Sequence, residues 1–287
     1  MIKSVADEVW AFDCEWVPDI QAGRLLYGLP DDVPRSEVLR VMWEQGGATE
    51  ENPMPFLKTL LCRVVSVATV IRRVQRNGEV QLFLHALPEN PDDAKQSQDE
   101  TYILRRFLLD GLSVRNPQLV GFNSRNADLR ILTQRAFTHG IDLKAMGERV
   151  HAKPWESRDI DLMELISGFG KGSSVSLNEL ARLSGIPGKM NVVGEDVCGL
   201  WYGGKIRDIV NYNCFDALTT YLVWLRMAFV SGFFSQEKYR AEQRLVRKLI
   251  EERAQRTDGA FLMAYLEEWR SLKERTGQDD GIFGEEQ

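Results

Sequence analysis

Apolar and polar positions alternate along this chain first with a period of two and later with a period near 3.6, which predicts strands followed mainly by helices. Val9 to Phe12 is an apolar run that leads into Asp13, Cys14 and Glu15, a first strand over residues 9–16. LLCRVVSVATVIRRV, residues 60–74, is dominated by β-branched residues, and EVQLFLHAL, residues 79–87, follows Asn77–Gly78. Asn-Gly is a strong hairpin-turn signal, so the three runs predict an antiparallel meander. Residues 18–60 interrupt it. They lack strong periodicity, are rich in proline and glycine, and carry one short helical pattern around Ser36–Glu44, as expected of a long functional loop or insertion.

From Asp92 onward helices alternate with short strands. Asp99–Leu112 places Ile103, Leu104, Phe107, Leu108 and Leu112 on one side of a helix, and QLVGFN, residues 118–123, predicts a short strand. Further helices are expected at Ser124–His139, Asp159–Ile166, Ser176–Leu183, Lys205–Phe229 and Gln236–Arg256. The order βββαβα followed by helices predicts an α/β fold with a mixed sheet at its centre. Domain bounds read as 1–232 for the main unit, with 18–60 inserted in it, 233–276 for a C-terminal helical extension, and 277–287 for a disordered tail.

Composition narrows the class. With 44% hydrophobic and 27% charged residues over 287 positions, the chain suits one large globular domain or a domain with an appendage. No apolar run approaches the roughly 18 residues that span a bilayer, and the N-terminus has no secretory pattern, so an intracellular, cytoplasmic protein is expected. The cysteines (14, 62, 198 and 214) are scattered without CxxC or Cys/His metal spacing, as expected of reduced, structural thiols. Net charge is −6, with 36 basic against 42 acidic residues, which argues against a nucleic-acid coat protein. It leaves room for an enzyme that grips a few phosphates locally.

Three constellations could carry chemistry. Asp13 and Glu15 share one face of a strand, where two like charges are costly unless solvated or bound to a cation. A strand ending at Phe12 with both acids in water is one reading, and a shared site for a hard divalent ion is the other. Asp128 falls in the first turns of the helix after LVGFN. An acid there suits the helix dipole, and that junction is also where open α/β sheets place ligands. Tyr212 and Asp216 lie four apart on one helix face, either as a half-buried tyrosine reaching water or as a functional pair.

Taken in order, FD-x-E, then GFN-x₄-D, then Y-x₃-D resemble the three motifs of the DEDD superfamily of 3′–5′ exonucleases. Y-x₃-D marks the tyrosine branch; the histidine branch needs a histidine where Asn211 stands. With DIDLMELISGFG, SLNELARLSGIPGK and LWYGGKIRDIVNYNCFDALTTYLVWLR, the likeness extends over residues 8–232. It is to the stand-alone predicted exonucleases related to the family-B DNA polymerase proofreading domain. The resemblance implies a ribonuclease-H-like mixed β-sheet flanked by helices. It also implies Asp13, Glu15, Asp128 and Asp216 as ligands of two Mg²⁺ or Mn²⁺ ions, with Tyr212 orienting the attacking water. Two positions depart from the family pattern. Trp16 follows the first glutamate where a threonine or small polar residue is common, and Ala127 precedes the second aspartate where an aromatic is usual.

The implied activity is stepwise release of nucleoside 5′-monophosphates from single-stranded 3′ ends, DNA more than RNA. The alternatives are an exoribonuclease and a catalytically silent interaction module on the same fold. Candidate substrate contacts are Asn123 (otherwise a helix cap), Phe122 and Trp16 (otherwise core), and Lys189 with Lys205 (otherwise solvated). Arg72, Arg73 and Arg76 read as a solvated hairpin edge, and Asp161 as a helix N-terminal acid. The alternating charges of 236–256 suit core packing or a protein partner better than nucleic acid.

Overall fold

Period-two alternation decides how the first strand is used. β1 (Glu8–Pro18) sends Val9 and Ala11 to one face and Trp10, Phe12 and Cys14 to the other, each set buried in its own hydrophobic cluster. β2 (Cys62–Val74) and β3 (Val80–Leu87) continue the meander antiparallel, and β4 (Gln118–Gly121) and β5 (Ile160–Asp161) add parallel strands on the other side of β1. The sheet order is β3-β2-β1-β4-β5, with β1 at the centre. Opposite β2, the register slips between Glu15 and Trp16, an irregularity of the kind that re-aims side chains. The computed structural model describes residues 2–153, 156–168, 175–190, 197–278 and 281–283.

The helices, in chain order, are α1 (Ile20–Tyr27), α2 (Arg35–Gln45), α3 (Ala94–Ser97), α4 (Glu100–Arg105), α5 (Asp128–Thr138) and α6 (Lys144–His151). Then come α7 (Leu162–Ile166), α8 (Leu177–Leu183), α9 (Val197–Tyr202), α10 (Ile206–Val230), α11 (Gln236–Ala254) and α12 (Leu262–Thr276). α4 runs on into a π-helical turn, Arg106–Ser113. Leu104, Phe107 and Leu108 from this stretch and Leu132 from α5 pack under Trp10 and Phe12. On the opposite face Leu218, Tyr221 and Trp224 of α10 meet Val9, Ala11 and Val70, with Val246 of α11 and Trp269 of α12 behind them. This is the α/β arrangement of a ribonuclease-H-like fold, a mixed five-stranded sheet with helices on both faces. Among the described residues no helix is long and apolar enough to cross a membrane.

Three expectations change. Arg72 is not on a solvated edge: its side chain is 1% exposed and forks onto Glu242 of α11 through Nε (2.8 Å) and Nη2 (2.7 Å). The Tyr221 hydroxyl completes the carboxylate's shell at 3.1 Å. Arg72 stands two residues after Val70 and opposite Val9, so it shares the face that α10 and α11 cover, and its side chain meets α11 instead of water. The helix expected from Ser124 starts only at Asp128, because residues 123–127 form tight turns. The segment expected as helix from Asp159 opens with β5, paired to β4, before α7 begins. In the tail, Ile282 is buried and Phe283 meets Trp269 edge-on, while residues 279–280 and 284–287 lie outside the described residues.

Candidate active site

The alternation that buries Val9 and Ala11 against α10 carries Asp13 and Glu15 to the same face one and two pleats later. There they meet the first half of α10, where the four-residue spacing puts Tyr212 and Asp216 on the side facing β1. Carboxylate oxygens of Asp13, Glu15 and Asp216 all lie within 4.8 Å of one another. The Tyr212 phenol and the Asp216 carboxylate are near enough to act on each other's titration.

Asp128 stands beside this trio and not within it. It opens α5, is 4% exposed, and accepts a 2.9 Å hydrogen bond from the Cys14 backbone N–H. The turn that delivers it explains the GFN stretch. A Cβ on Gly121 would sit 2.3 Å from the Ser124 Cβ, so only glycine lets the chain fold back there. Asn123 takes a left-handed conformation (φ 58°), which asparagine tolerates better than most residues. Asp161 then holds the turn: its carboxylate accepts from the N–H groups of Asn123 (2.9 Å) and Arg125 (3.0 Å) while capping α7 at Met163 (3.1 Å) and Glu164 (3.3 Å). Asp161 is therefore the expected helix-start acid and, in addition, a strut under the turn that carries Asn123.

The concentration of like charge shows in the titration of the acids. Burial, and after it Asp128, Asp216 and Glu15, push Asp13 well above the ordinary carboxylate range, and Glu15 moves the same way. Burial raises Asp128 to about 7, against its bonds from backbone N–H groups. Asp216 rises to about 6 through burial, restrained by Tyr212 and Lys189. Burial and the neighbouring carboxylates raise the Tyr212 phenol.

Nine of the ten site candidates singled out in the sequence, Asp13, Glu15, Trp16, Phe122, Asn123, Asp128, Lys189, Tyr212 and Asp216, line one cleft of about 920 Å³. Lys189 is placed there by the loop after α8. Its N–H donates to Asn178 Oδ1 at 2.9 Å, an approach that Gly188 permits because a Cβ there would meet that oxygen at 2.1 Å. Lys205 stands at the start of α10 and is not part of the cleft lining.

Sequence reasoning missed Asn213, which is fully buried. With its amide oriented so that the oxygen accepts from Ser66 Oγ (3.0 Å), the nitrogen donates to the Asp13 backbone oxygen (3.1 Å) and to Asp13 Oδ2 (3.2 Å). The available signal was its position three residues before Asp216, on the same side of α10. Also missed was the reach of the 18–60 segment, whose Trp43, Met54, Phe56 and Leu57 form part of the cleft wall.

No sequence among curated proteins matches this chain. Among solved structures, it is similar to the family B DNA polymerase from the hyperthermophilic archaeon Pyrobaculum calidifontis, with 16% identity and a TM-score of 0.44. That match covers 95% of this chain and 30% of the polymerase chain. The family described as "Predicted 3'-5' exonuclease related to the exonuclease domain of PolB" matches residues 54–269. By that match the chain belongs to the family of predicted 3′–5′ exonucleases related to the exonuclease domain of PolB.

Proposed function

We propose that this protein is a metal-dependent 3′–5′ exonuclease that removes nucleoside 5′-monophosphates one at a time from single-stranded 3′ ends, DNA in preference to RNA. The observation that carries the reading is the meeting of Asp13, Glu15 and Asp216 within 4.8 Å in a cleft that also receives Asp128 and Tyr212. The family's relation to the exonuclease domain of PolB supports DNA as the polymer.

The donor set fits Mg²⁺ or Mn²⁺. It is made of carboxylate oxygens, which hard divalent ions prefer, and burial, with repulsion from the neighbouring acids after it, raises Asp13 and Glu15 above the ordinary carboxylate range. Asp13, Glu15, Asp128 and Asp216 would hold two such ions. When bound, a divalent pair makes the attacking water more acidic and offsets charge on the departing 3′-oxygen. Tyr212 keeps its proton, since its phenol is raised above its ordinary value. The phenol oxygen would then accept from the attacking water and aim it at phosphorus. The water–phosphorus bond forms as the phosphorus–O3′ bond breaks, and the proton taken up by the leaving oxygen completes a new 3′ hydroxyl end. Lys189, the only cation among the described residues lining the cleft, would meet the scissile phosphate. Asn213 and Ser66 keep Asp13 aimed while it is charged.

The test uses 5′-labelled single-stranded DNA and RNA with Mg²⁺, with Mn²⁺ and with chelator. A ladder shortening from the 3′ end only when metal is present is the expected result. Absence of metal-dependent shortening on both polymers would overturn the proposal. Faster cutting of RNA would overturn the polymer preference alone.

A further inference from the structure

Residues 53–57 of the inserted segment are the least explained part of the cleft. Phe56 is fully exposed and Met54 is 53% exposed, an arrangement that costs solvation unless something covers it. The segment does not hang loose from the fold. At its start Asp19 caps α1 and pairs with Arg135 of α5 (2.6 Å), and at its end Thr59 Oγ1 bonds Gln134 of α5 at 2.7 Å. Both ends are tied to the helix that Asp128 opens. The wall formed by Trp43, Met54, Phe56 and Leu57 is continuous, within one cleft, with Trp16 and Phe122 beside the acids.

We infer that this inserted wall, with Phe56 at its rim, is a stacking site for the unpaired bases just upstream of the 3′ terminal nucleotide. The inference rests on the exonuclease reading and adds to it how the substrate is gripped. Charge argues for bases over phosphates. The described residues of the cleft offer four carboxylates and one cation, Lys189, so a backbone-tracking groove is absent among them. Aromatic faces bind any base without regard to sequence, and they take only bases not already stacked in a duplex. The enzyme is therefore selective for frayed or single-stranded ends through its apolar wall. Its affinity depends weakly on salt, because few counterions are released on binding.

The experiment compares wild type, Phe56→Ala and Phe56→Trp on a labelled single-stranded oligodeoxynucleotide. Phe56→Ala should raise KM about fivefold or more with kcat nearly unchanged, and Phe56→Trp should restore it. Removing the bases next to the 3′ terminal nucleotide should erase the difference between wild type and Phe56→Ala. An unchanged KM, or a loss confined to kcat, would overturn the inference, as would a steep salt dependence of KM in all three proteins. A second measurement separates the two readings: oligonucleotide affinity by fluorescence anisotropy in EDTA, where no cutting occurs. If wild type cuts nothing, the nuclease reading fails. The stacking site still stands if Phe56→Ala binds more weakly than wild type, and it falls if the affinities are equal or neither protein binds.

Discussion

The backbone N–H of Cys14 donates to Oδ1 of Asp128 at 2.9 Å, so the link between Asp13 and Glu15 is tied to an acid 114 residues further along the chain. The bond sets the distance between the central strand and the start of α5 at the point where the carboxylates converge. It also divides what Asp128 does into an acceptor role, which needs only an oxygen, and a charge role.

Asp128→Asn keeps a side-chain oxygen to receive the Cys14 N–H and removes the charge. The fold is expected to persist while the nuclease rate falls roughly a hundredfold to a thousandfold, the equivalent of several kcal/mol of lost charge stabilisation. Asp128→Leu should lose that rate and also about 1–3 kcal/mol of stability, because a buried N–H is left without an acceptor. Urea titration beside the ladder assay separates the two roles.

Stability of the metal-free protein should fall as pH rises from about 4 to about 7. Asp216 titrates at about 6 and Asp128 at about 7, above the ordinary value of 3.8. Carboxylates raised in the folded state bind more protons than in the unfolded one, so their stabilising protonation is complete below the ordinary value and lost through the folded values. Melting temperature in EDTA, followed against pH, is the measurement. At pH 8 added Mg²⁺ or Mn²⁺ should raise it, and Asp216→Asn should flatten the metal-free profile. A metal-free melting temperature that climbs over this range would contradict the account.

Asn213→Leu removes the amide that bridges Ser66 and Asp13 without touching the carboxylates themselves. Loss of such support around a metal ligand typically costs about 10–100-fold in metal affinity or activity. The metal concentration for half-maximal rate should move up with little change in KM for the oligonucleotide. A variant with the wild-type metal dependence would show that Asp13 needs no such support.

Glu242→Leu strands a guanidinium in the core, since Arg72 is 1% exposed and bonded to Glu242 through two nitrogens. It should destabilise the fold by about 3–5 kcal/mol, and Arg72→Leu added to it should recover most of the loss. Activity measured well below the melting temperature should stay close to wild type in both variants, because neither residue lines the cleft. Such a result would make the helices after residue 233 part of the main core.

Asp161→Ala removes the acceptor for four N–H groups, two in the turn before Asp128 and two at the start of α7. Lower kcat at saturating metal is expected, with faster amide exchange at Asn123 and Arg125. Unaltered exchange there would mean that the turn holds itself.

Much of the candidate site was legible because its geometry is local. Period two puts Asp13 and Glu15 on one face whatever the strand packs against, and four-residue spacing does the same for Tyr212 and Asp216. The bare chain also carried the hairpin at Asn77–Gly78, the long α10 and the α/β order of elements, because turn chemistry and hydrophobic period are properties of neighbouring residues. What only the tertiary structure decided are pairings whose partners lie far apart in the chain. Arg72 looked like a solvated edge charge until α11 brought Glu242 to it, 170 residues later. Asp161 looked like a simple cap, and Asn213 like one more polar residue on a helix, because nothing in their immediate neighbours names the turn or the carboxylate they bond. The 18–60 segment had no period to read, and Phe56 gained a place only when both ends of the segment were tied to α5. Local periodicity determines which way a side chain faces; which surface it finds there depends on contacts that only the folded chain makes.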